Sequence, residues 1–448
     1  MKVLTKFLTV LLALCIGLCC FAACGTRTEG DGGDDNGNGG YNPPPVVEGD
    51  EEEGKTNLVV GITSDTSERE MMQAVIAAYE AEHTDVNINI MQIAGNYSQQ
   101  IVNLASSGEL PDVYMNYDTL VGYLAESNVS LDLTEYLAQY GIAEGDFYPS
   151  IFELGRVNGK VYMLPREYAH VVVYYNKEIL QDAGVDTSVI RNGWTWEQFE
   201  SVAAQLVQKR GAVVTRYGAD LQLNWPTTVL SYIYGMGGTL FSEDKTRCTI
   251  DDPATVAAYQ ALKSKVDDGV YTNVFRAGTP TFLNGSVGMY FSVRTQANTV
   301  NRTLGEGNWD VVSFPEMSGA EQYVGSGTTG YSVSSYSEHR DAAIDFLMFM
   351  MSEEGMSVMA QTGLIIPSRM SMNTADAAWR NYPNADINQD AFVYMPERDM
   401  LPLSSYISNP GNTTRVTDAL NLATESLLIN ADASQFAQFR DSITTAIG

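Results

Sequence analysis

The stretch Gly325–Gly330, "GSGTTG", has the G-x-G-x-x-G spacing with which glycine-rich loops bring backbone N–H groups to a phosphate. That chemistry needs a strand before the glycines and a helix after them, whose N-terminus meets the anion. "EQYV" can supply the strand, but "YSVSSYS" after Gly330 alternates like a second strand, and no P-loop lysine follows. The nucleotide reading fails on context. Other chemistry finds as little support. The three histidines, His83, His170 and His339, are scattered without metal-ligand spacing. No G-x-S-x-G nucleophile elbow occurs. Carboxylates are plentiful, but the geometry of a glycosidase-type pair is not visible in a sequence. No catalytic residue, cofactor or metal is implied, and the chain reads as a non-enzyme.

The net charge of −29 argues against a nucleic-acid partner, which would need a basic patch, and against attraction to anionic lipid. At the N-terminus, Lys2 and Lys6 precede the apolar run "FLTVLLALCIGLCCFAAC", a charged region followed by a hydrophobic one that is short for a membrane span. Ala22 and Ala23 stand immediately before Cys24. This resembles a bacterial lipoprotein lipobox, with residues 1–23 as signal peptide and Cys24 as the lipidated N-terminus of the mature chain. A plain signal peptide with an incidental cysteine is the competing reading. Loss of the leader would leave Cys248 as the one unmodified cysteine, so no intramolecular disulfide is expected. Residues 24–56 are rich in Gly, Asp, Glu and Pro and nearly free of large apolar side chains, which predicts a solvated acidic tether.

The elements that must position any site begin at Asn57. "NLVVGIT" reads as a buried strand, "SEREMMQAVIAAYEAEH" as an amphipathic helix, "DVNINIMQI" as a strand, "YSQQIVNLASSG" as a helix ending at Gly108, and "PDVYMNY" as a strand. This β-α-β-α-β order predicts an α/β layer with a mainly parallel sheet, whose ligand-facing loops lie at the carboxyl ends of the strands. Further on, "WTWEQFESVAAQLVQKRG" reads as a helix N-capped by Thr195, and "DPATVAAYQALKSKVDDG" as another. The tail from Thr374 reads as mostly helical, with loops around Pro396 and Pro410.

Taken in order, "LPDVYMNYDTLVGYLAESNVSLDLTEYL", "NGKVYMLPREYAHVVVYYNKEILQDAGVD", "WTWEQFESVAAQL", "FLNGSVGMYFSVRT", "VVSFPE", "GYSVSSYSEHRDAAIDFLMFMMSEEG" and "GLIIPSR" resemble family 1 extracellular solute-binding proteins, the maltose-binding-protein-like lipoproteins of ABC importers. The resemblance spans Asn57 to Gly448. It implies an α/β fold of two lobes joined by a multi-strand hinge, with an interlobe ligand cleft. It places residues 57–165 and about 331–370 in the first lobe and 166–330 and about 371–448 in the second. It implies a carbohydrate ligand, ABC permease partners, a monomeric state, and a lipid anchor at the cell surface on the outer face of the cytoplasmic membrane, or on the periplasmic face where an outer membrane exists. A binder of a peptide, polyamine or metal chelate on the same fold, or a glycan-docking lipoprotein without transport, remains an alternative.

Sugar recognition asks for aromatic rings against pyranose C–H faces and fixed polar partners for hydroxyls. The candidates sit in loops at strand ends: Ser64 and Asp65, Asn96 and Tyr97, Tyr117 and Asp118. The competing roles are helix capping for Asp65 and Asp118, turn chemistry for Asn96 and packing for Tyr117. Glu167 lies at the hinge, facing the cleft or pairing with Arg166. Trp225, beside Pro226 in "LNWPT", is a candidate stacking ring. Arg294 stands near where the family often presents Trp, which points to a hydrogen-bonding or acidic group on the ligand. Arg369 matches the family's P-x-R, with a loop-fixing role as the alternative. Ser326 and Thr328 in "GSGTTG" are available to hydroxyls, with the glycines expected to allow unusual backbone angles and close approach.

Overall fold

The computed structural model describes residues 44–448. The expected signal peptide, Cys24 and most of the expected tether therefore lie outside the described residues. In chain order the first strands and helices are β1 (Val46–Glu48), β2 (Thr56–Thr63), α1 (Thr66–Glu82), β3 (Val86–Ile93), α2 (Tyr97–Ser107), β4 (Val113–Tyr117) and α3 (Asp118–Glu126). Strand β2 pairs in parallel with β3 and β4, as the β-α-β-α-β order demands, but the pairings that bring in Val46–Glu48, Thr329–Val333 and Leu164–Pro165 are antiparallel, so the sheet is mixed rather than mainly parallel. The tether expectation for 24–56 needs one correction. Val46–Glu48 pairs antiparallel with β3, so the folded body starts before Asn57. An open edge strand offers unpaired N–H and C=O groups, and three residues suffice to cover part of it.

The chain then crosses out of this sheet through β5 (Leu164–Pro165), β6 (Ala169–His170) and β7 (Val172–Asn176). The principal elements that follow are α4 (Trp196–Leu206), β8 (Gln208–Arg210), β9 (Val213–Asp220), α5 (Pro226–Gly235), α6 (Pro253–Asp267), β10 (Val287–Ser292) and β11 (Trp309–Ser313). Thr195 starts α4 with a reciprocal capping box to Gln198. The return runs through β12 (Ser326–Gly327) and β13 (Thr329–Val333) into α7 (Arg340–Met350) and α8 (Glu353–Gln361). Two helices, α9 (Thr413–Ile429) and α10 (Ala433–Ile447), end the chain. Residues 374–412 hold only short 3-10 turns, so the mostly helical tail predicted from Thr374 begins in fact at Thr413. "NYPNADIN" carries too much proline and asparagine for a continuing helix.

The first sheet has the order β1-β3-β2-β4-β13-β5, and the second β8-β9-β10-β7-β11. A two-stranded ladder of β12 on β6 lies in the chain between them. Each sheet has its own core. Leu58, Val60, Tyr114 and Tyr331 pack with Phe346 and Met359 of α7 and α8 in one. Val173, Phe199, Leu230, Phe291 and the tail residues Val416, Leu420 and Phe436 pack in the other. These are two α/β lobes, each built from segments far apart in sequence.

The crossing is held by buried polar groups. Arg166 is 2% exposed and donates two hydrogen bonds to Glu68 of α1, at 2.5 and 2.6 Å. A buried guanidinium is tolerable when a carboxylate meets it bidentately. Tyr168 and His170 bind the two oxygens of the buried Asp399 carboxylate at 2.8 and 2.7 Å, and Ser150 adds a third contact at 3.2 Å. That network fixes the irregular tail beside the hinge. Among the described residues, no helix is long and apolar enough to cross a membrane.

Candidate functional site

A cavity of about 40 Å³, partly open to solvent, lies where elements of both lobes and the return strand meet. Asp118 and Thr119 reach it from the first turn of α3, and Trp225, Pro226, Thr227 and Leu230 from the start of α5. Ser326 comes from β12, the segment Met400–Ser404 from the irregular tail, and Thr413 and Thr417 from α9.

Local sequence explains how Trp225 is presented. A residue before proline avoids the helical region, and Trp225 is extended, with φ −103° and ψ 112°. Pro226 then opens α5 at a position where no backbone donor is needed. The Trp225 N–H donates to Gln222 O at 2.9 Å, and Thr228 Oγ1 caps the same turn by donating to Gln222 O and Trp225 O. The indole is therefore held outside the helix, one part packed on the second lobe's core and the remainder facing the cavity.

Asp118 is placed by register. Its predecessor Tyr117 ends β4 opposite Thr329 of β13, so Asp118 falls beside the glycine-rich return. It is half-buried, and the loss of bulk water around its carboxyl pushes its pKa up to about 6, opposed in part by the Thr119 N–H. Gly327 lies between these two groups. A methyl there would stand 3.6 Å from Trp225 Cζ2 and 4.0 Å from Asp118 Oδ2. The expected unusual backbone angles are not found, since Gly325, Gly327 and Gly330 all lack a positive φ. Close packing accounts for two of them instead. A Cβ at Gly325 would crowd Thr227 and Ser231, and one at Gly330 the Leu164 carbonyl.

Of the sequence candidates, the cavity thus gathers Asp118, Trp225 and Ser326. The others serve elsewhere. Asp65 N-caps α1 by accepting from Ser67 N and Glu68 N, and Asn96 N-caps α2 through Gln99 N. Tyr97 is buried, donating to Met115 O at 2.8 Å, with Tyr117 edge-on at 5.3 Å. Glu167 accepts from Thr329 Oγ1 at 2.7 Å and lies 3.6 Å from Arg166, and Thr328 Oγ1 donates to Glu167 O at 2.7 Å. These contacts stitch the hinge together. Arg369 donates to Asp146 at 2.6 Å and fixes a loop. Arg294 is 1% exposed, with its guanidinium over the Phe392 ring and bonded to the carbonyls of Trp379 and Tyr382. Burial lowers its pKa to about 10. The irregular segment around 379–392 folds over the strand end and removes Arg294 from the cavity.

The wall Met400–Ser404 is absent from the sequence candidates. Its residues "MLPLS" follow Asp399, whose buried carboxylate anchors them, and only that long-range network identifies them.

The model of the bacterial extracellular solute-binding protein family matches residues 63–357, well over half of the chain. The chain belongs to this family. The family is one of binding proteins rather than enzymes, and the two-lobe architecture of this solute-binding protein recurs in solved structures. An ABC substrate-binding protein of Listeria monocytogenes, in complex with cycloalternan, superposes with a TM-score of 0.74 at 20% identity, covering 87% of this chain and 98% of that one. The GacH receptor of Streptomyces glaucescens, solved unliganded and with acarbose, gives 0.70 at 22% identity, covering 88% and 98%. At such identities the likeness is one of fold. In sequence, the solute-binding protein is 23% identical over 220 residues to an arabinooligosaccharide-binding protein of Halalkalibacterium halodurans, covering 45% of this chain and 46% of that protein. It is 23% identical over 252 residues to a putative binding protein of Brucella abortus, covering 54% and 59%. The chain thus spans about half the length of the curated relatives it matches.

Proposed function

We propose that this solute-binding protein captures a neutral carbohydrate in the cavity between its lobes, by lobe closure, and delivers it to an ABC permease. The observation that carries the reading is the pairing of one indole face, Trp225, with one carboxylate, Asp118, across a cavity whose remaining polar groups are hydroxyls. An indole face suits the C–H face of a sugar ring, and an ionised carboxylate accepts from two vicinal hydroxyls. Among the described residues no Lys or Arg lines the cavity, so its chemistry favours an uncharged ligand over an anionic one. The ring beside the single acid also favours a sugar over a polyamine, which would call for several acids. The neighbours named with cycloalternan, acarbose and arabinooligosaccharide agree in ligand class.

In this reading Ser326 and Thr417 supply hydroxyl contacts and Leu230 and Met400 exclude water. The first lobe comprises residues 57–165 and about 331–370, with β1 added, and the second 166–330 and about 371–448. The chain is a monomer, cleaved before Cys24, lipidated there and tethered outside the cytoplasmic membrane. It performs no chemistry on its ligand.

The deciding experiment is a thermal-shift panel of neutral mono- and oligosaccharides, with each mixture analysed for products after incubation. A binder shows a rise in Tm that grows with ligand concentration while the sugar stays intact. A flat panel, or a cleaved glycan, would refute the reading. Gly327 offers a second check. Gly327→Ala is expected to keep binding, because a methyl fits at ordinary contact distance. Gly327→Leu would fill the gap between Trp225 and Asp118 and weaken binding at least about tenfold, as side-chain overpacking of a filled site does. Equal affinity for the two variants in titration calorimetry would place the ligand elsewhere.

A further inference from the structure

We infer that the seam between α3 and the Pro410 turn at the head of α9 is a latch that holds the lobes closed. Each side is rooted in a different lobe. Leu120 and Leu124 pack α3 into the first core, whereas Val416, Leu420 and Ala423 pack α9 into the second. The two sides meet directly. Gly122, buried in the middle of α3, lies so close to the turn that a methyl group there would collide with the Pro410 carbonyl. A methyl on Gly411 would meet the Glu126 carboxylate from α3. Between them, Thr414 Oγ1 donates to Thr119 O at 3.1 Å, one hydrogen bond from lobe to lobe. The turn itself is braced, since Thr413 Oγ1 donates to Pro410 O at 2.6 Å and Asn409 accepts from Gly411 N at 3.0 Å.

The seam borders the cavity. Asp118 and Thr119 precede Gly122 on α3, Thr413 and Thr417 start α9, and all four line the cavity wall. Glycine in a helix interior opposes helix formation, so Gly122 has no local rationale in α3. Its rationale is the fit to a backbone carbonyl of the other lobe. The latch serves the capture by closure proposed above, but its existence is read out without any ligand.

The test uses the full chain with Cys15, Cys19, Cys20 and Cys24 each replaced by Ser and Thr119→Cys and Thr414→Cys introduced together, oxidised gently, and the 119–414 linkage quantified by peptide mapping. The native Cys248 is buried and does not compete. The seam predicts ready cross-linking in this background and at least a tenfold slower rate when Gly122→Ala is added. Gly122→Ala alone is expected to leave the Tm of the ligand-free protein unchanged or raised, because alanine favours the helix. Where a saccharide binds, Gly122→Ala is expected to raise its dissociation rate at least tenfold. An unchanged cross-linking rate, or a Tm lowered by several degrees with the cross-link intact, would overturn the latch and make the seam a static packing contact. Failure of the carbohydrate reading would appear instead as a flat saccharide panel, with the cross-linking difference preserved.

Discussion

Trp225→Ala is expected to weaken saccharide binding by about 30- to 1,000-fold, the ~2–4 kcal/mol cost of truncating a buried aromatic anchor. Trp225 is partly buried, packed against the second core and lining the cavity, so its removal takes away ring surface at the cavity without opening a fully buried hole. The stability change should accordingly be small beside the affinity change. Trp225→Phe keeps a ring at the same extended position before Pro226 and is expected to recover a good part of the affinity. Titration calorimetry of the three proteins decides the matter. An Ala variant that binds as tightly as the wild type would remove Trp225 from the site.

Asp118→Asn is the second large effect, with an expected loss of about 10- to 100-fold, since a hydrogen bond to a charged group is worth roughly 1.5–3 kcal/mol. It also carries a pH signature. Restricted hydration raises the folded-state pKa to about 6, above the ordinary 3.8 of an unfolded aspartate. The associated stability is present below about 3.8 and is lost as pH rises through about 6. At pH 7.5 the ionised group therefore costs the ligand-free fold on the order of 1–2 kcal/mol once solvent screening is allowed for. Asp118→Asn should raise the Tm of the ligand-free protein at pH 7.5 and lose that advantage near pH 4. Wild-type affinity should fall several-fold between pH 7 and pH 5, as the carboxylate is protonated, and the variant should show a flat profile. Identical pH profiles for both proteins would contradict a ligand role for Asp118.

Much of the architecture was legible in the residues. The run from Asn57 to Tyr117 alternates buried strands with amphipathic helices, and that local pattern sets the parallel core of the first sheet. Thr195 and Gln198 carry a helix start in four residues. Asp118, Trp225 and Ser326, which the structure brings to one cavity, each stand next to an element boundary that local rules identify. What escaped depends on distant partners. Val46–Glu48 is too short and too acidic in surroundings to show a period, and it pairs only because β3 offers an edge. Arg294 follows a strand that points toward the hinge, yet carbonyls almost ninety residues later capture its guanidinium. Asp65 and Asn96 have the residue types of a sugar site and equally those of an N-cap, and α1 and α2 use them as caps. The Met400–Ser404 wall is positioned by a carboxylate whose partners lie more than two hundred residues upstream.

The most direct test of capture by closure is small-angle scattering of the wild-type protein, ligand-free and saturated with a saccharide that raises its Tm. Closure on the ligand predicts a smaller radius of gyration in the complex, because the sugar stabilises the state in which both lobes touch it. An unchanged radius at saturation would contradict it.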